Sequence, residues 1–142
     1  MKIIIIILLL LPFAGFGQEK RDEKITVIAS DTTNLFNRVA LLLYEKGYTF
    51  EQKDEQLKFI ATTDKPIPKA VGSCKLRVLV KDSAITLYAL VAVDPRLVRG
   101  GDLQKVYSPA QYRGMKGSLF MVVWAEMESI ARKFGNQIIY SK

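Results

Sequence analysis

The segment CKLRVLVKDSAITLYALVAV, residues 74–93, carries the plainest structural signal in the chain. Cys74, Leu76, Val78 and Val80 point one way, while Lys75, Arg77 and Lys81 point the other. Asp82 and Ser83 stand where a tight turn is needed, and the alternation resumes through Ile85, Leu87, Ala89, Val91 and Val93. Asp94 and Pro95 end it. A period of two, with one apolar and one wetter face, predicts an antiparallel hairpin lying half-buried on a core.

Working towards the N-terminus, Gln56 to Thr63 reads as another strand, with Leu57, Phe59 and Ala61 on one face. It returns from Tyr48–Gln52 through a polar turn at Lys53–Glu55. Lys65 to Gly72 holds Pro66 and Pro68, which marks a connection rather than an element. Before these lies an amphipathic helix with Leu35, Phe36, Val39, Leu42 and Leu43 at helical spacing. Asp31, Thr32 and Thr33 offer capping side chains, and Gly47 suits the left-handed residue that stops a helix. Lys24 to Ser30 alternates as a strand, and Gln18 to Glu23 is a polar leader expected to fray.

Towards the C-terminus, Arg96 to Gly117 has glycines and a Ser108–Pro109 pair that argue for a long loop. A helix is predicted from Ser118 to Phe134, with Phe120, Val123, Trp124, Met127, Ile130, Ala131 and Phe134 as its apolar stripe. Ile138–Tyr140 is a candidate edge strand. The order β-α-β-β-β-β-α predicts an α+β, two-layer sandwich: an antiparallel curled sheet with two helices on one face. That is a helix-grip or TBP-like layout.

Lys2, the aliphatic run Ile3–Leu11, the helix-breaking Pro12 and the small residues Ala14, Gly15 and Gly17 have the three-part layout of a secretory signal peptide, residues 1–17. Extended to Phe16 the apolar stretch reaches about 14 residues, short of the roughly 20 that a permanent span needs. No cysteine follows the run, so lipid anchoring by the bacterial lipoprotein route is not expected. Cleavage would leave about 125 of the 142 residues (18–142), a single domain, exported to the periplasm or the medium. Its net charge would fall from +7 only to about +6, since Lys2 alone is lost. The one cysteine, Cys74, permits no internal disulfide, so the domain depends on its core.

From Val39 to Val93 the chain resembles small secreted bacterial proteins that carry a domain of unknown function with a TBP-like fold. It is distantly similar to the helix-grip domains of an outer-membrane-assembly lipoprotein. Ala40, Leu41 and Leu42, Gly47 and Tyr48, Phe50, Asp54, Ile60, Thr62 and the pair Lys81–Asp82 carry the resemblance. Lys58 and Phe59 stand where those relatives usually place a glycine. The resemblance implies a fold and a compartment and confers no activity.

The chain has no histidine, so it lacks a Ser-His-Asp or Cys-His pair and any imidazole zinc ligand. It has no Ser-x-x-Lys spacing, nucleophile elbow, phosphate loop or dinucleotide fingerprint. Cys74 alternates with Leu76 and Val78, which predicts a buried structural thiol. Glu126 and Glu128, two apart on a helix, face different directions, and a carboxylate pair would need distant residues such as Asp31, Asp94 and Asp102. No catalytic, cofactor or metal residues are assigned. The candidate site is the basic loop: Arg96, Arg99, Lys105, Tyr107, Tyr112, Arg113 and Lys116, with Asp102 its one acid. Arginines that fork onto phosphate or carboxylate, interleaved with aromatics, suit an anionic partner.

The expected function is a non-catalytic binding or assembly module of the bacterial cell envelope. Its partner would be an envelope protein or anionic lipid or lipopolysaccharide headgroups, not nucleic acid. The alternative is a small-ligand carrier or enzyme with a pocket between the sheet and the last helix. The first reading predicts that Leu119, Val122 and Trp124 are fully packed. The second predicts an apolar cavity lined by Phe120, Trp124 and strand residues.

Overall fold

In the computed structural model, residues 17–68, 72–97 and 104–142 are described. The expected signal peptide lies outside them except for Gly17, as do Arg99 and Asp102. The predicted hairpin is the centre of the molecule. Strand β5 (Gly72–Lys81) pairs residue for residue with β6 (Ala84–Val93), from Gly72↔Val93 to Lys81↔Ala84. Asp82, at φ 53°, takes the left-handed conformation in the turn, which a short polar side chain tolerates better than most. Cys74, Leu76, Val78 and Val80 are buried together with Ile85, Leu87, Ala89 and Val91. Val93, at the strand end, is exposed instead, and Ala92 is buried beside Val91.

Around this hairpin the chain builds an open antiparallel sheet. Its other strands are β1 (Lys24–Ile28), β2 (Phe50–Asp54), β3 (Phe59–Thr62), β4 (Lys65–Pro66), β7 (Tyr107–Pro109) and β8 (Gln137–Ser141). The order is β2-β3-β5-β6-β1-β8, so β2 and β8 are the edges. The two hairpin strands outrun their neighbours. Beyond β3, the first residues of β5 take β4, and beyond β1, the last residues of β6 take β7. The proline-rich connection and the long loop each therefore contain a short strand that sequence alone did not suggest. The leader is tied down too. Arg21 N–H donates to Tyr112 O, Tyr112 N–H to Asp22 O, and Glu23 N–H to Ser141 O. These bonds hold residues 21–23 against two later segments.

Helices α1 (Leu35–Glu45) and α2 (Leu119–Arg132) cover one face of the sheet. Lys46, just past α1, reaches Glu126 and Ser129, whereas Arg38 near its start lies over Phe134. The helices therefore lie side by side and antiparallel. The cap of α1 is Asn34 in the left-handed region, and its side chain accepts from Asn37 rather than from the backbone. Gly47, at φ 86°, ends the helix, and the Tyr48 N–H bonds to Leu43 O. Ser118 caps α2 by accepting from the Met121 N–H. The core comprises Val39 and Leu43 of α1, Trp124, Met127 and Ile130 of α2, Ile25 and Val27 of β1, and the inward hairpin residues.

Phe59 and Ala61 share one face of β3, as their spacing predicts, but Leu57 lies outside the strand. Ile60, not Leu57 or Phe59, carries the core face of β3, and Leu57 is 66% exposed. Lys58, at φ 53°, closes the turn that holds Leu57, so the strand begins only at Phe59. Lys53 and Asp54 belong to β2 rather than to that turn.

Candidate functional site

The loop residues do not form one patch. Arg96 forks onto the Asp94 carboxylate, with Nη2 at 2.6 Å and Nε at 3.0 Å. Those hydrogen bonds hold the Asp94 carboxyl down at about 2 and raise the Arg96 guanidinium. Lys105 pairs with Asp64 and approaches Ser73 Oγ at 3.3 Å. Burial raises the Asp64 carboxyl, but hydrogen bonds with Lys105, Ser73 and Tyr107 outweigh it and leave the group lowered. The positive excess counted along the loop is thus offset by two carboxylates from outside it. Arg96 and Lys105 line one cleft of about 380 Å³ with Gly72 and Ser73, and Tyr107 lies beside it on β7. Tyr112 and Arg113 stand apart, on the aromatic residues of α2. The Tyr112 ring lies 5.8 Å from Trp124, and the Arg113 guanidinium lies 4.4 Å above Phe120. Lys116 is exposed, with no ion pair among the described residues.

A more coherent cationic surface lies on the face of the sheet that the helices leave open. Because the inward residues of β1, β5 and β6 alternate strictly, their neighbours must face away from the core. The register then sets them in rows. One row runs Phe59, Leu79, Thr86, Thr26, Ile139, and the next runs Ala61, Arg77, Tyr88, Lys24, Ser141. Lys75 sits in a third row opposite Leu90, its ammonium 4.9 Å from the Tyr107 ring centre. Thr26 and Thr86 share a hydroxyl hydrogen bond at 3.0 Å. Leu79 and Ile139 are 44% and 36% exposed. Strands β1, β5, β6, β7 and β8 contain Lys24, Lys75, Arg77 and Lys81 and no carboxylate. All four cations fall on the open face. Acids reach it from its margins: Asp54 opposite Phe59, Asp64 and Glu51 near Tyr107, and the turn residue Asp82. The alternation of the hairpin carried this signal. Counting charge along the chain instead of by face is what hid it.

On the covered side, a cleft of about 340 Å³ opens between α2 and the β4 segment. Tyr48 and Cys74 are buried at its base, and Val122, Val123, Ala125 and Glu126 form the helix wall. It is offset from the cavity expected between Phe120 and Trp124. Trp124 is packed to 1% exposure, and Leu119 and Val122 are half-buried. Burial pushes the Cys74 thiol up to about 11, against the opposing hydrogen bond of the Tyr48 hydroxyl. The same burial raises the Tyr48 hydroxyl, and the adjacent Cys74 and Glu126 add to it. A thiol so placed is almost wholly protonated at neutral pH and is a poor nucleophile.

Glu126 turns to Lys46 and Glu128 to the Tyr140 hydroxyl, so the two helix carboxylates point to different partners. Asp31 is paired with Arg38 and Asp94 with Arg96. No group of three potential metal ligands stands together among the described residues, and no helix there is long and apolar enough to cross a membrane. No family model, curated protein or solved structure matches the chain.

Proposed function

We propose that the chain is an exported, non-catalytic binding module of the bacterial cell envelope, working in the periplasm or outside the cell. Its binding element is the open face of the sheet, and its occupant is a surface of anionic lipid headgroups. The observation that carries this reading is the sign of that face. Five neighbouring strands present Lys24, Lys75, Arg77 and Lys81 and no acid. Leu79 and Ile139 offer exposed apolar contact between the cations. Basic side chains at an anionic membrane surface contribute about 1 kcal/mol each at ordinary ionic strength. Four together give a useful reversible affinity. The net charge of +7 favours approach of the whole chain to such a surface. Two helices on one face of an antiparallel sheet also support the finer assignment to a helix-grip or TBP-like layout.

Co-sedimentation with vesicles of phosphatidylglycerol and phosphatidylcholine tests the reading. The protein is expected to bind the mixed vesicles, to leave pure phosphatidylcholine in the supernatant, and to dissociate in high salt. Arg77→Glu with Lys75→Glu should abolish binding with the fold intact, since Arg77 is exposed and Lys75 half-buried. Indifference to the lipid charge, or capture of an acidic protein with no vesicle binding, overturns it.

A further inference from the structure

The cleft under α2 has a chemical character of its own, and its reading does not rest on the lipid-facing sheet. Its walls are largely apolar, from Ile67 and Pro68 on one side to Val122 and Ala125 on the other. At about 340 Å³ it falls at the small end of ordinary ligand pockets. Three charges stand at its rim. Lys46 and Glu126 form an ion pair at 3.5 Å, which disposes of one of each sign. The third is Lys65, held in place by a hydrogen bond from its Nζ to Lys46 O at 2.6 Å and by the Tyr48 ring, 4.2 Å from the ammonium. The neighbouring carboxylate, Asp64, is taken by Lys105.

Among the described residues, no carboxylate lies within ion-pair distance of Lys65. An ammonium has three donors, and only one of these reaches a carbonyl. Lys65 is only partly exposed, and a cation withdrawn from water without a counter-charge is costly unless something pairs with it. An apolar slot with one uncompensated, positioned cation at its mouth is complementary to a molecule with an apolar body and a single anionic head.

We propose that this cleft is a binding site for a small carboxylate amphiphile. The hydrocarbon lies between Val122 and Ile67, and the carboxylate accepts from Lys65 Nζ. Tyr48 supports the lysine from below and keeps the ammonium at the rim.

Isothermal titration with decanoate, decanol and decylamine on the full mature chain tests this. Decanoate should bind at one site, decanol about tenfold or more weakly, and decylamine not measurably. Lys65→Gln should reduce decanoate affinity about tenfold and leave decanol unchanged, which separates recognition of the head from burial of the tail. In the wild-type protein, decanoate should also raise the melting temperature more than decanol at equal concentration, a readout independent of any variant's folding. Equal binding of decanoate and decanol, or a Lys65→Gln protein that binds decanoate as the wild type does, overturns the assignment of the head group. If none of the three binds, the site itself is overturned.

Discussion

Gly135, between α2 and β8, is the position where adding one carbon should do the most damage. A Cβ built there would overlap the carbonyl oxygen of Ile28, with the Ile28 carbonyl carbon at 3.2 Å and Val27 Cγ2 at 3.3 Å. Neither side can give way cheaply. Strand β1 is paired on both sides, with β6 and with β8. The crossing chain is fastened just beyond that point, because Ser30 donates to Phe134 O from both its N–H, at 2.9 Å, and its hydroxyl, at 3.1 Å. Overpacking a tight interior costs about 1–3 kcal/mol when side chains can adjust. Here the clash is backbone against backbone, so Gly135→Ala should cost about 3 kcal/mol or somewhat more.

The control is Gly117→Ala. Gly117 has open space around its missing Cβ but sits at φ 90°, so the substitution carries backbone strain without a clash. That strain is about 1 kcal/mol. Urea unfolding followed by circular dichroism, with equal m-values, would give both numbers. In thermal melts, Gly135→Ala should lie about 10 °C below wild type and Gly117→Ala about 3 °C below. Equal losses in the two variants would refute the close approach of the α2–β8 connection to β1.

Other outcomes follow from the buried thiol and the loop ion pair. Burial holds the Cys74 pKa at about 11 against an ordinary 9.0, so the raised group's contribution is complete below pH 9. It is lost as the pH climbs towards 11, by about 3 kcal/mol. Unfolding midpoints from pH 8 to 11 should therefore fall more steeply for wild type than for Cys74→Ala, and equal slopes would refute the assignment. Asp94 behaves in the opposite sense, because its carboxyl is lowered to about 2 by the hydrogen bonds of Arg96. Its contribution is present above pH 4 and disappears as the pH falls through 2. Carboxyl NMR should find the Asp94 midpoint near 2 and shift it up towards the ordinary carboxylate range in Arg96→Gln; a midpoint unmoved by that change would refute the pairing.

Local pattern made much of this fold legible. The strict alternation of residues 74–93 specified the central hairpin, and the stripes around Val39 and Met127 specified both helices. What failed was whatever long-range pairing decides. Two-residue β4 and three-residue β7 have no periodicity to read, and they exist because β5 and β6 extend past their other neighbours. Residues 21–23 are bonded to Tyr112 and Ser141, about 90 and 120 residues away in sequence. Leu57 continues the spacing of Phe59 and Ala61 but sits in the turn that Lys58 closes, so it never joins their strand. The site was displaced for a related reason. Arg96 and Lys105 are neutralised by Asp94 and Asp64, which lie outside the counted loop, while Lys75, Arg77 and Lys81 alternate along one strand and Lys24, far off in sequence, joins their face two strands away.

The position of β1 bears on how the protein is made. Its two partners are β6 and β8, so the first strand to appear lies between two that emerge much later. Lys24 faces Ser141, and its ammonium bonds to the last residue's carbonyl at 3.2 Å. A chain threaded across a membrane N-terminus first would carry β1 with nothing to pair until Ala84–Val93 had followed. The β8 edge of the sheet would form only after Gln137–Ser141 had followed as well. Such long-range pairing delays folding of β1 relative to its synthesis.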